Sequence, residues 1–148
     1  MTINWSCKFF DELTANELYK IMRLRNEVFV VEQNCVFQDA DNKDYYCYHL
    51  SGYVEDQLVA YVRLVPPGKS YSEASIGRVV TSPLFRSHGI GRVLMAKAIE
   101  ICLAVFKQTE IRIGAQLYLK KFYESFGFKQ SGNVYLEDGI EHIEMLFT

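Results

Sequence analysis

The chain has 148 residues, 49% of them hydrophobic and 23% charged, which suits one domain built around one core. Sixteen Lys and Arg against eighteen Asp and Glu give a net charge of -2, without the basic excess expected of a nucleic-acid binder. No apolar run approaches the roughly 20 residues that span a bilayer, and the N-terminus lacks a signal peptide's basic and apolar regions, so a cytoplasmic protein with no membrane partner is expected.

Ile3, Trp5, Cys7 and Phe9 alternate with polar residues, predicting a first strand with one buried face. Thr14 with Glu17 forms a capping box and predicts a helix over 15–31, with Leu18, Met22 and Phe29 on one face. The β-rich runs 45–54 and 58–65 flank Glu55-Asp56-Gln57 and read as a hairpin. Pro66-Pro67-Gly68 ends the second run, and a further strand over 74–81 stops at Ser82-Pro83. Gly89 opens a helix to Phe106, with Ile90, Leu94, Ala98, Ile101 and Val105 at helical spacing. A short strand over 111–115, a helix over 117–126 and two strands, 128–136 and 140–147, complete the chain. Asp138-Gly139 between the last two is a strong hairpin signal. This order predicts an α/β (α+β) fold in which a mixed sheet of about seven strands carries helices on both faces, in a single domain over 1–148. Its two strand–helix–strand units place strand ends side by side, where such sheets bind ligands.

The most informative segment is Arg86-Ser87-His88-Gly89-Ile90-Gly91-Arg92, a turn between a strand and an amphipathic helix. Glycines permit close backbone approach, and a helix N-terminus with unpaired N–H groups is a phosphate site. Arg86 and Arg92 add charge-assisted contacts. A structural turn is the competing reading. The pattern is neither G-x-G-x-x-G nor a Walker loop. Cys7, Cys35, Cys47 and Cys102 show no zinc spacing and read as free thiols. Asp39, Asp41 and Asp44 fail the EF-hand pattern, with Asp44 where that loop needs glycine; they read as a solvated turn, and no metal is expected. Arg23, Arg25, Glu32 and Gln33 form a polar cluster in an apolar helix, marking either an acceptor pocket or an internal salt-bridge network.

The run Ile76 to Gly91 resembles the acetyl-CoA-binding signature of the GNAT superfamily, whose loop reads Arg/Gln-x-x-Gly-x-Gly/Ala. A second block, Gln116-x-x-Leu119-x-x-Phe122-Tyr123-Glu124-x-x-Gly127-Phe128, is similar too, although many relatives carry Asn and Ala at Gln116 and Leu119. The segments Arg23-Leu24-Arg25-x-x-Val28-Phe29-Val30-Val31-Glu32-Gln33, Ser75 to Val80 and Tyr135 to Met145 resemble the ElaA-like branch.

The resemblance implies the GNAT acyl-CoA N-acyltransferase fold and an N-acetyltransferase that uses acetyl-CoA. It places backbone of Val79, Val80 and Thr81 along the pantetheine arm, and the amides from Arg86 through Ser87, His88, Gly89, Ile90 and Gly91, with Arg92, on the pyrophosphate. Tyr123 matches the tyrosine that protonates the departing thiolate. The acceptor is a primary amine on a small molecule, peptide or protein, attacking directly in a ternary complex. Arg25, Glu32, Gln33 and His49 are candidate acceptor-site residues, and Glu32, His49, Glu137 and His142 are candidate bases. A catalytically silent acyl-CoA-binding regulatory domain is the alternative. The aromatic-rich strands leave room for a homodimer.

Overall fold

A computed structural model describes residues Met1–Thr148. Strand β1 (Asn4–Phe9) leads into helix α1 (Ala15–Arg25). Thr14 Oγ1 accepts the Glu17 amide at 3.1 Å and Glu17 Oε1 accepts the Thr14 amide at 2.8 Å, so the expected capping box forms. Helical structure continues to Glu32, but Asn26–Glu32 is wound as a wider π-helix. Its β-branched Val28, Val30 and Val31 crowd an ordinary α turn.

Strands β2 (Tyr48–Val54), β3 (Gln57–Val65) and β4 (Ser75–Thr81) join β1 in an antiparallel sheet of order β1-β2-β3-β4. β2 begins three residues later than predicted, because Asp44–Tyr46 forms a 3₁₀ turn. β3 is buried from Leu58 to Val65, as its near-continuous apolar run requires of a strand covered on both faces. One face meets α1: Leu58, Tyr61 and Val80 cluster with Ile21, Leu24 and Val28. On the other, Val62 and Leu64 join Leu94, Met95, Ala98 and Cys102 of helix α2 (Ile90–Phe106).

Strands β5 (Ile111–Gln116), β6 (Phe128–Glu137) and β7 (Ile140–Phe147) form a second antiparallel sheet of order β5-β7-β6. The helix expected over 117–126 is a 3₁₀ turn at Leu117–Leu119 followed by a short α3 (Lys120–Glu124). Seven strands are present, but they hydrogen-bond as sheets of four and three. The sheets meet through one parallel bridge, Ala74 to Ile111, where the Arg112 amide donates to the Ala74 carbonyl at 2.9 Å.

Beyond that bridge β4 and β5 separate. Tyr61 pairs with Val80 and Arg63 with Gly77, so Arg78 and Val79 together oppose Val62 in a bulge. Arg78 takes a φ of 54° there, a left-handed conformation uncommon for a residue other than glycine. Bulges bend a strand and interrupt its pairing. This one turns β4 away from β5 and opens the space that holds the site.

Candidate active site

A cleft of about 870 Å³ occupies the gap between β4 and β5. Val79, Val80 and Thr81 form one wall, Ala115 and Gln116 the other, and Tyr123 reaches in from α3. The cleft continues toward Glu32 and Gln33 at the end of the π-helix.

Past Arg86, which also lines the cleft, Ser87 and Gly89 adopt φ of 75° and 71°. Left-handed residues in such a turn direct successive amides into an anion-binding concavity, and the 17-residue α2 adds its dipole. A Cβ at Gly89 or Gly91 would meet no atom within 4 Å, so the approach is open. These features fit a diphosphate. Ile90 differs from its neighbours, because its side chain is buried in the core and only backbone remains for a ligand.

Both arginines of the turn already have partners. Arg86 Nη1 and Nη2 donate to Glu32 Oε2 and Oε1 at 2.7 and 2.6 Å, and the Arg86 guanidinium holds the Glu32 carboxyl below its usual range. Arg92 Nη1 donates to Ser125 Oγ at 3.2 Å, with its guanidinium 4.8 Å from the Phe126 ring centroid.

Tyr123 is buried, and burial pushes its phenol up to about 12. Edge-on contacts with Phe122 and Phe128, at centroid distances of 5.3 and 5.9 Å, fix the ring. Its proton therefore stays on Oη at neutral pH.

The proposed acceptor residues divide. Glu32 and Gln33 line the cleft, and Gln116 Nε2 lies 3.5 Å from Gln33 Oε1 across it. Arg25 and His49 do not. Arg25 is fully buried, with Nε 2.7 Å from Asp39 Oδ2 and Nη1 2.7 Å from Asp44 Oδ1. His49 Nε2 donates to the Asp44 carbonyl at 3.0 Å and Nδ1 accepts from Tyr61 Oη at 2.6 Å. Burial pushes this imidazole down. With both nitrogens engaged, His49 has no lone pair for a substrate, so its roles as acceptor residue and base fall away.

The internal salt-bridge network thus prevails for Arg25, and the solvated turn expected of Asp39, Asp41 and Asp44 is overturned. Arg63 Nη1 reaches Asp41 and Asp44 at 2.8 and 3.1 Å, while Arg78 Nε reaches Asp39 at 2.8 Å. Burial pushes the Asp41 and Asp44 carboxyls up, but hydrogen bonds and charge from Arg63 and Arg25 more than offset it and hold both low. The missed signal was Arg63, a lone cation inside an apolar strand, which demands buried anions. Arg23, by contrast, is exposed and only 3.8 Å from Glu27.

His142 of β7 and Glu137 of β6, the two other candidate bases, also border the cleft. All four cysteines are free. No helix is long and apolar enough to cross a membrane.

A gap between diverging strands, with Arg86 at its edge and a left-handed turn leading into α2 beyond it, is an arrangement that suits an acyl-CoA-dependent transferase. Residues 14–148 match the family model for the acetyltransferase (GNAT) domain. The chain is 41% identical to protein ElaA of Escherichia coli over 145 residues, 97% of this chain and 95% of ElaA. It is 44% identical to a UPF0039 protein of Synechocystis sp. over 148 residues, 99% of this chain and 96% of the relative. The crystal structure of an acyl-CoA N-acyltransferase from Pseudomonas aeruginosa superposes with a TM-score of 0.95 at 39% identity, covering 99% of this chain and 100% of the other. The chain belongs to the GNAT acetyltransferase family and is an acyltransferase.

Proposed function

We propose that this chain transfers an acetyl group from acetyl-CoA to a primary amine, with both substrates bound together. The observation that carries the reading is the cleft between β4 and β5, with Arg86 at its edge just ahead of the left-handed turn and a buried, protonated phenol on its wall. Acetyl-CoA, when bound, supplies the activated thioester. Main-chain donors from Arg86 to Gly91 hold its diphosphate, and backbone N–H groups at Val79 and Val80, beside the bulge, stabilise negative charge on the carbonyl oxygen. Tyr123 Oη gives its proton to the departing sulfur.

Direct attack is favoured over an acyl-enzyme. Burial pushes the Cys7 thiol up to about 11 and those of Cys47 and Cys102 up to about 12, so these remain thiols and poor nucleophiles at neutral pH. Cys35 lines the cleft, but its Sγ is directed to the Asp138 carbonyl at 3.2 Å.

Calorimetry with acetyl-CoA, combined with a coenzyme A release assay over small amines and lysine-bearing peptides, tests the reading. Binding with amine-dependent release is expected. Binding without release on any acceptor would favour the silent regulatory domain, and absence of binding would overturn both.

A further inference from the structure

With His49 excluded and both Glu32 carboxylate oxygens held by Arg86, Glu137 and His142 are the candidate bases left to deprotonate the incoming ammonium. His142 sits at the open end of the cleft. It pairs in register with Gln116 on β5 and with Tyr135 on β6. Gln116 lies five residues beyond Ile111, where the sheets touch, or about 16 Å along an extended strand at roughly 3.3 Å per residue. The His142 ring is therefore near the greatest separation of β4 and β5, beside the wall formed by Ala115 and Gln116.

The ring's hydrogen bonding assigns its tautomer. Nδ1 is 2.8 Å from the Ile140 carbonyl oxygen. That oxygen can only accept, so Nδ1 carries a proton and the neutral ring's lone pair resides on Nε2. Tyr135 stacks on the imidazole at 5.7 Å and 30°, which fixes its plane. Glu137 Oε2 is 3.6 Å from Nε2, beyond a direct hydrogen bond. Glu137 is half-exposed and can pass a proton to solvent. His49 offers the contrast, since both its nitrogens are occupied.

We propose that His142 is the general base: Nε2 takes a proton from the acceptor ammonium and Glu137 stabilises the resulting imidazolium. The free amine then forms the C–N bond as the C–S bond breaks; Tyr123 Oη protonates the departing sulfur, and the second proton lost by the nitrogen restores the phenol. This rests on the acetyl-transfer reading above. The charged and titratable groups around the ring are Glu137 and Tyr135, both on β6, with uncharged Gln116 alongside on β5.

His142→Asn supplies the test, because the Asn amide can retain the donor to the Ile140 carbonyl while deleting Nε2. The expected result is a fall in kcat of about 100-fold, the low end for a general base, with KM for acetyl-CoA unchanged. The acidic limb of the kcat/KM profile should disappear, and the deficit should shrink at high pH as the amine deprotonates in solution. His142→Gln serves as the second variant if Asn lowers Tm, and the same kinetic pattern is expected. A wild-type rate and pH profile in either folded variant would overturn the base assignment while leaving acetyl transfer intact. A wild-type protein that releases no coenzyme A with any amine would overturn both.

Discussion

Tyr123 illustrates how burial sets a side chain's chemistry. Its phenol is packed between Phe122 and Phe128, raised to about 12 by lost hydration, and so is a donor rather than a base at neutral pH. Tyr123→Phe keeps the packing and removes the proton. It is expected to lower kcat by about 100-fold with calorimetric affinity for acetyl-CoA unchanged; unaltered turnover would take Tyr123 out of the mechanism. Glu32 acts in the opposite sense. It holds Arg86 through two hydrogen bonds, and a diphosphate must compete for the same guanidinium. Exposed pairs contribute up to about 1 kcal/mol, so Glu32→Gln is expected to tighten acetyl-CoA binding by at most about fivefold in calorimetry. Weaker binding would mean that the clasp helps to form the site.

Among the elements, the Asp39–Asp44 segment is tied to α1, β3 and β4 by Arg25, Arg63 and Arg78. These ion pairs pin the segment against the bulged strand β4. Arg25→Met fits the buried volume but removes one of the two arginine partners of Asp39 and of Asp44, leaving them Arg78 and Arg63. A broken buried pair costs about 3–5 kcal/mol, and for a domain of this size Tm should fall on the order of 10 °C. A change under 2 °C in calorimetric unfolding, by about the same scaling, would show that the network has relaxed onto other partners. Element boundaries in the sequence were readable where local chemistry is strong: the Thr14 capping box, the Asp138-Gly139 turn and the Gly89 helix start. They shifted at Asp44–Tyr46 and at 117–126, where side chains from distant strands choose between a 3₁₀ turn and extended or helical backbone.

Across the protein as a unit, the pH dependence of stability follows from these sites. The His49 imidazole is lowered from 6.5 by burial, so the unfolded chain takes up its proton first and stability begins to fall below about pH 6.5. Asp41 and Asp44 are lowered from 3.8, and Glu73 from 4.5 to about 2 by its hydrogen bond to Arg112. Their stabilisation is complete above those ordinary values and is lost as pH falls through the folded ones. Denaturant unfolding measured from pH 8 to 3 should therefore decline in two stages, the first removed by His49→Gln. An unchanged upper stage in that variant would assign it to another group.

Periodicity, turn residues and the Arg86–Arg92 loop were enough to establish the strand and helix order and the family, and to single out the turn ahead of α2, because each rests on short-range backbone preferences. Folding alone could separate Arg25 and His49 from the cleft, bring His142 to its open end, and divide seven strands into two sheets. Those outcomes depend on long-range pairing: whether a charge 14 or 19 residues away along the chain reaches a buried arginine, and where one bulge parts β4 from β5. Local patterns carry no record of such distances, since desolvation and partner geometry exist only once the chain is packed.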